Sequence, residues 1–254
     1  MSETPLPSGA AKTAHVRSMF DAIAPRYDLV NRIMSLGLDQ RWRRRTVSAL
    51  ALAPGSIVLD LACGTGDLSL MARRSGYRTV GVDLSLGMLT VGLSRHTTEP
   101  GDAGVVQGDA ARLGLATASF DGVVCGYALR NFTDLSASFK EMARILRPGG
   151  RLAVLEVAAP EHGLVLTGYR VWFEHVVPFL GGVLSDPDAY RYLPRSVAYL
   201  PDEVGLRRML WASGFTMVGR HLLDGGLSQL VTATRAGIPT PASAGDPERQ
   251  RPSP

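Results

Sequence analysis

Asp60, Asp83 and Asp109 each close a short apolar run: Val58-Leu59-Asp60-Leu61, Val80-Gly81-Val82-Asp83 and Val105-Val106-Gln107-Gly108-Asp109. After the first comes the turn Ala62-Cys63-Gly64-Thr65-Gly66-Asp67, and Leu68 to Arg74 then has helical character. A strand, a glycine turn and a helix start together make a nucleotide-type site, because glycine lets the backbone approach a ligand and the helix start presents free N–H groups. A dinucleotide fingerprint reads G-x-G-x-x-G, and here the third place is Ser69. Asp83 lies where a carboxylate accepts both ribose hydroxyls of an adenosine. Asp109 can meet an adenine amino group, with the small Ala110 leaving room for the ring. An acid-rich loop that includes Asp60 repels a pyrophosphate and suits a positively charged ligand such as a sulfonium. Any one of these acids alone would be an ordinary solvated strand end or helix cap.

The elements that must position these residues follow from the pattern. Ser56 to Leu61, Arg78 to Val82, Gly104 to Gln107, Asp121 to Cys125 and Arg151 to Val157 read as five strands separated by helical stretches. Such alternation predicts an α/β fold, a doubly wound, mainly parallel sheet with helices on both faces and its ligand at the carboxyl ends of the strands. Gly126 at the end of the fourth strand joins the cofactor-binding candidates there. Leu135, Phe139, Met142, Ala143 and Leu146 mark one helix face, which Thr133 or Asp134 can cap and Arg147-Pro148-Gly149-Gly150 stops. After a helix over Asp202 to Ser213, Phe215 to Leu222 and Leu227 to Arg235 form a hairpin around Asp224-Gly225-Gly226, an antiparallel closure that makes the sheet seven-stranded. Ahead of the sheet, residues 13–53 read as short helices broken at Pro25 and Gly37, a cap for the mouth of the site. Residues 160–201 hold four of the seven tyrosines, with Trp172, Phe173 and Phe179, and read as an inserted helical lid. Residues 1–12 and 237–254 are rich in Pro, Ser, Ala and Gly and are expected to be disordered tails on a single domain spanning 13–236.

Bulk properties narrow the classes further. With 254 residues, 45% of them hydrophobic, the chain suits one well-buried domain. No apolar run approaches the ~20 residues that span a bilayer, and Met1-Ser2-Glu3-Thr4-Pro5-Leu6-Pro7 lacks the basic flank and apolar core of a signal peptide. Two cysteines, Cys63 and Cys125, make no disulfide framework, so a cytoplasmic setting is expected. A net charge of +4, from 27 basic and 23 acidic residues, is mild. No basic stripe with interleaved aromatics points to nucleic acid. Arg41-Trp42-Arg43-Arg44-Arg45 is the one basic run, suited equally to a solvated helix face or to an anionic membrane surface. His15, His96, His162 and His221 show no ligand spacing, so no metal is expected.

Several stretches carry a family resemblance. L-D-L-A-C-G-T-G-D-L (Leu59 to Leu68), V-D-L-S-L-G-M-L (Val82 to Leu89), S-F-D-G-V-V (Ser119 to Val124) and L-R-P-G-G (Leu146 to Gly150) resemble the class I S-adenosylmethionine methyltransferases. F-D-A-I-A-P-R-Y-D-L-V-N (Phe20 to Asn31), A-L-R-N-F (Ala128 to Phe132) and A-Y-R-Y-L-P-R-S (Ala189 to Ser196) narrow the resemblance to the ubiquinone/menaquinone biosynthesis C-methyltransferases. It covers roughly residues 15–235. It implies S-adenosyl-L-methionine as cofactor, with Thr65, Asp83, Asp109 and Ala110 as contacts beside Asp60, Gly64, Gly66 and Gly126. It implies methylation of a ring carbon of a prenylated hydroquinone, most directly demethylmenaquinol. The partner expectations are that hydroquinone, a peripheral contact with anionic membrane and a homodimer. Family patterns often place an aromatic plus Arg-Pro after the Leu-Glu of the fifth strand; here Glu156-Val157-Ala158-Ala159-Pro160 stands instead.

Methylating a phenol ring needs the carbon, methyl and sulfur in line and the ring oxygen stabilised as it loses its proton. Arg130 and Asn131, after the fourth strand, and Tyr27 in the cap are the candidates: Arg130 to hold a phenolate or a bound water, Asn131 to bond a ring oxygen, Tyr27 to face the ring. Competing readings are an Arg salt bridge, an Asn cap and a packed Tyr. His175 beside Glu174 is a weaker candidate base. The lid aromatics with Leu164, Val165 and Leu166 can line a groove for an apolar tail, or simply pack. A soluble phenolic or polyketide acceptor is the alternative substrate class, and a nicotinamide oxidoreductase the alternative chemistry, disfavoured by Ser69 and by the Asp109-Ala110 pair.

Overall fold

The computed structural model describes residues 7–96, 102–158, 192 and 195–237. Strands β1 (Ile57–Leu61), β2 (Arg78–Asp83), β3 (Asp102–Gln107), β4 (Phe120–Gly126), β5 (Leu146–Val157), β6 (Phe215–Leu223) and β7 (Ser228–Arg235) form one sheet in the order β3-β2-β1-β4-β5-β7-β6. The pairs among β1 to β5 are parallel, and β7 runs antiparallel between β5 and β6. The strand order reverses between β1 and β4, which opens a crevice at their carboxyl ends. The doubly wound, seven-stranded fold with an antiparallel C-terminal strand is therefore as expected, with β7 the inner member of the hairpin and β6 the edge.

Near-continuous apolar strands form because both faces are covered. Leu59 and Leu61 of β1, Val123 and Cys125 of β4, and Leu152 and Val154 of β5 bury one face with Phe139, Met142 and Ile145 of α6 (Leu135–Ile145) and Leu206 and Leu210 of α7 (Glu203–Ala212). Their sequence neighbours Val58, Val124, Ala153 and Leu155 bury the other face with Trp42 and Val47 of α3 (Leu38–Ser48) and Leu68 and Ala72 of α4 (Asp67–Arg74). Caps start the helices cleanly: Asp134 accepts from the Ala137 N–H at 2.9 Å and Asp202 from the Gly205 N–H at 2.7 Å. Helix α6 stops at Ile145, and Arg147-Pro148-Gly149-Gly150 becomes a register shift at the start of β5, which begins five residues earlier than the pattern suggests.

The N-terminal cap consists of α1 (Gly9–Ile23), a short 3-10 turn at Ala24–Arg26 around Pro25, α2 (Tyr27–Met34) and α3, with Gly37 left-handed (φ 78°) between the last two. Helix α1 begins at Gly9, inside the stretch expected to be a disordered tail. The reason is Lys12, which is buried and donates to the Phe132 carbonyl at 2.8 Å. The basic run also divides. Trp42 is buried, donating from Nε1 to Asp224 at 2.5 Å, and Arg43 is buried against Asp39, so only Arg41, Arg44 and Arg45 are exposed. Helical periodicity turns two of five consecutive residues inward, where burial demands a partner for each polar group. Most of the expected lid, with Trp172, Phe173, Phe179, His175 and Leu164 to Leu166, lies outside the described residues; Tyr192 and 195–201 are inside. No described helix is long and apolar enough to cross a membrane.

Candidate active site

An open-mouthed cavity lies at the carboxyl ends of β1, β2 and β4, where ligands of such sheets bind. Its floor is backbone. Ala62 and Tyr127, directly after β1 and β4, take left-handed φ angles of 56° and 59°. Non-glycine residues rarely adopt that region, and here it turns both chains away from the crevice. Helix α1 supplies the roof with Thr13, Val16, Arg17 and Phe20. The roof is tied down at its start by the Thr13–Thr133 hydroxyl bond (2.8 Å) and by Lys12, whose ammonium also sits 3.5 Å from the Tyr199 ring centroid. Burial lowers the Lys12 pKa to about 8. Two acids anchor the cap from below: Asp21 accepts from Ser85 Oγ at 2.6 Å and the Gly87 N–H at 2.9 Å, and Asp28 accepts from Thr65 Oγ1 at 2.6 Å.

Of the site residues expected from sequence, Tyr27, Gly64, Asp83, Asp109, Ala110, Gly126 and Asn131 line this cavity. Asp83 takes the Gly64 N–H on one oxygen and the Ser85 N–H on the other, both at 2.8 Å, and burial raises its pKa. Each oxygen keeps a second lone pair for a ligand hydroxyl. Asp109 is exposed, holds the Ala111 N–H at 2.9 Å, and neighbours the buried Ala110. Gly126 leaves space: a Cβ there would lie 2.8 Å from Leu68 Cδ1. Tyr27 packs edge-on against Phe20, with ring centroids 5.9 Å apart.

Asp60, Thr65, Gly66 and Arg130 stand behind the lining. Thr65 is buried with its hydroxyl on Asp28, and Gly66 (φ 88°) caps α4. Arg130 is buried in an ion pair with Glu156 and donates to the Tyr127 carbonyl at 2.9 Å. The Glu156 carboxylate also receives the Val157 N–H at 2.8 Å. This pair was legible only as a lone acid in the otherwise apolar run Leu152-Ala153-Val154-Leu155-Glu156-Val157. A buried acid requires a partner, but sequence does not say which.

Asp60 decides what the turn can hold. It is fully buried, and its Oδ2 accepts both the backbone N–H (2.8 Å) and the hydroxyl (2.7 Å) of Ser69. Its Oδ1 has no hydrogen-bond partner among the described residues, and burial raises its pKa to about 7. Three of the N–H groups around the turn are thus already taken: Ser69 by Asp60, Gly64 by Asp83 and Gly66 by the Cys63 carbonyl. Ser69 is therefore the clamp of a buried acid, a role that its place as a missing third glycine did not reveal. Two acids on the turn, Asp60 buried and Asp83 half-buried in the cavity wall, fit a cation with ribose hydroxyls better than a pyrophosphate.

The profile of the ubiE/COQ5 methyltransferase family matches residues 9–235. The chain belongs to that family. A demethylmenaquinone methyltransferase of Mycobacterium sp. (strain KMS) is 43% identical over 221 residues, 87% of this chain and 94% of that protein. A ubiquinone/menaquinone biosynthesis C-methyltransferase of Syntrophotalea carbinolica is 40% identical over 222 residues, 87% and 94% of the two chains. In fold, the chain resembles the magnesium protoporphyrin IX methyltransferase of Synechocystis PCC 6803, solved with bound S-adenosylmethionine, at a TM-score of 0.61 and 19% identity over 92% of this chain and 100% of that one. The chain is thus a methyltransferase of Rossmann-like architecture.

Proposed function

We propose that this methyltransferase transfers a methyl group from S-adenosyl-L-methionine to a ring carbon of a prenylated hydroquinone, converting demethylmenaquinol to menaquinol. The observation that carries the cofactor reading is that Asp60 and Asp83 sit on the glycine turn and take the Ser69 and Gly64 N–H groups. The acceptor reading rests on family membership and on the names of the 40–43% identical relatives.

Asp83 would hold the ribose hydroxyls, Asp109 and Ala110 would border the adenine, and Asp60 would face the positive end from beneath the turn. The bound cofactor supplies an electrophilic methyl. The chain's own residues position the acceptor and exclude water. Asn131 and Tyr27 line the cavity; in this reading Asn131 would bond a ring oxygen and Tyr27 would face the ring from the cap. Arg130 acts from behind this wall: its ion pair with Glu156 and its bond to the Tyr127 carbonyl hold in place the turn that carries Asn131. The acceptor carbon would gain the methyl and lose its own hydrogen as a proton, which would reach solvent through the open mouth of the cavity.

Purified protein incubated with deuteromethyl-labelled cofactor and demethylmenaquinol should yield labelled menaquinol, and cells lacking the gene should accumulate the demethyl quinone by mass spectrometry. An unchanged quinone pool would redirect the reading to a soluble phenol. Exposed Arg41, Arg44 and Arg45, near exposed Leu29 and Leu36 on the same cap, support a peripheral docking on anionic membrane. Flotation with anionic liposomes tests this. Undiminished flotation after charge reversal of the three arginines would discard the cap as the docking face, and no flotation at all would discard the docking.

A further inference from the structure

Helix α5 (Leu86–His96) begins shortly after Asp83, and the loop between them is gripped from two sides. On one side the Ser85 N–H donates to Asp83 Oδ1 at 2.8 Å, so the place of Ser85 sets the direction of one carboxylate oxygen. On the other side Asp21 of α1 reaches the loop from 64 positions away in the chain. Its Oδ1 accepts both the Ser85 hydroxyl at 2.6 Å and the Gly87 N–H at 2.9 Å. A continuous chain of hydrogen bonds therefore runs from the roof helix, through Ser85, to the acid in the cavity wall.

Capping of α5 does not account for this grip. Ser85 already caps the helix, its hydroxyl oxygen accepting the Met88 N–H at 3.0 Å. The Gly87 N–H could stay hydrated at an open helix start. Instead Gly87 admits the α1 backbone: a Cβ there would lie 3.0 Å from Asp21 Cα and 3.1 Å from the Asp21 carbonyl oxygen, so a side chain would push the two elements apart. Both gripped elements face the cavity, Phe20 from α1 and Leu84 and Ser85 from the loop. The other supports of Asp83 come from the sheet side, where the Gly64 N–H holds Oδ2 at 2.8 Å and the Gly108 N–H donates to the Asp83 carbonyl at 2.9 Å. The support through Ser85 is the one that belongs to the cap.

We propose that Asp21 is a positioning residue of the cofactor site: through Ser85 it aims the Asp83 carboxylate at the ribose hydroxyls of S-adenosylmethionine and ties the roof helix to the same loop. Without the grip, Ser85 is free to turn and Asp83 loses the N–H that orients it. A carboxylate displaced by a fraction of an ångström makes poorer bonds to both hydroxyls. The inference rests on the S-adenosylmethionine reading and adds to it a residue that acts on the site from outside the cavity.

The test is calorimetric titration of the full-length chain with S-adenosylhomocysteine, the demethylated cofactor, and with its analogue lacking both ribose hydroxyls. Asp21→Ala should raise the Kd for S-adenosylhomocysteine about tenfold and that for the analogue less than about twofold, because the lost grip acts on the bonds to the hydroxyls. Asp21→Asn keeps an acceptor oxygen in place and should stay within about threefold of the wild type. Equal losses with both ligands would overturn the proposal, since they mark a general loosening of the fold. So would an unchanged Kd in Asp21→Ala, or an Asn variant as weak as the Ala one, which would place the effect in the charge of Asp21. Should Asp21→Ala not fold by circular dichroism, Ser85→Ala, which removes the hydroxyl and leaves the N–H on Asp83, is read in the same way. A wild-type chain that bound neither ligand would instead bring down the S-adenosylmethionine reading, and one that bound both equally the assignment of Asp83 to the ribose, in either case with this inference.

Discussion

Asp60→Asn probes the electrostatics of the site most directly. The carboxyl is fully buried, with one oxygen clamped twice by Ser69 and the other unpaired among the described residues. Burial, first of all, raises its pKa from 3.8 to about 7; the two Ser69 bonds and Arg43 oppose the rise and Asp83 adds to it. The folded chain therefore holds this proton more tightly than the unfolded chain does. For this group, stability is fully present below the ordinary value and is lost as pH rises to about 7, by ~4 kcal/mol in total. A cation bound nearby acts in the opposite sense, because it favours the ionised form. Below pH 7 the cofactor must expel the Asp60 proton on binding, so its affinity should weaken by up to ~tenfold per pH unit. The Asn side chain keeps the shape and presents its amide oxygen to Ser69, but it has no proton to lose and no charge to offer. The variant should bind S-adenosylmethionine more weakly at pH 8, show a flattened pH dependence, and resist urea better than the wild type at pH 8. Calorimetric titration at pH 6 and 8, in two buffers of different ionisation enthalpy, counts the protons released. Equal proton release and equal pH slopes in variant and wild type would refute the assignment of this buried acid to the cofactor's charge.

Two further outcomes follow from the packing around the site. Glu156→Gln leaves the buried Arg130 guanidinium without its carboxylate and should lower stability by ~3–5 kcal/mol in urea unfolding; the double variant Arg130→Met/Glu156→Leu should recover most of that stability without recovering methyl transfer, and a wild-type urea midpoint for Glu156→Gln would contradict the pairing. Gly81→Ala places a methyl 2.9 Å from Cys63 Sγ and 3.1 Å from Val105 Cγ1, which should cost ~1–3 kcal/mol. Cys63→Ala in the same chain should relieve most of that loss, whereas purely additive effects in the two-variant cycle would place the clash elsewhere.

Glu156 illustrates the limit of reading the site from the chain alone. Its burial follows from the apolar run around it, but pairing it with Arg130 requires the parallel alignment of β4 with β5, which sets Cys125 and Gly126 beside Val154 and Leu155. The same limit applies to Asp28 and Thr65, 37 positions apart and joined by one hydroxyl–carboxylate bond, and to Trp42 and Asp224, 182 positions apart. Lys12 shows the error this produces: a Pro- and Ala-rich stretch with no apolar period looked like a tail, yet a carbonyl 120 positions away gives its ammonium a buried place and starts α1 at Gly9.

The sequence by itself determined the strands, the glycine turn, the acids at successive strand ends and the breaks at Pro25 and Gly37, because periodicity and turn chemistry act over a few residues. From these came the fold class and a turn suited to a cation, while the family came from the resemblance of Phe20 to Asn31, Ala128 to Phe132 and Ala189 to Ser196. The tertiary structure alone decided the work of the individual side chains. It made Ser69 the clamp of Asp60, withdrew Arg130 into an ion pair, and buried Trp42 and Arg43 out of a basic run. Each of these depends on which distant group satisfies a buried charge or hydroxyl. That partner is set by the way helices and strands pack in three dimensions, and no local pattern in the chain encodes it.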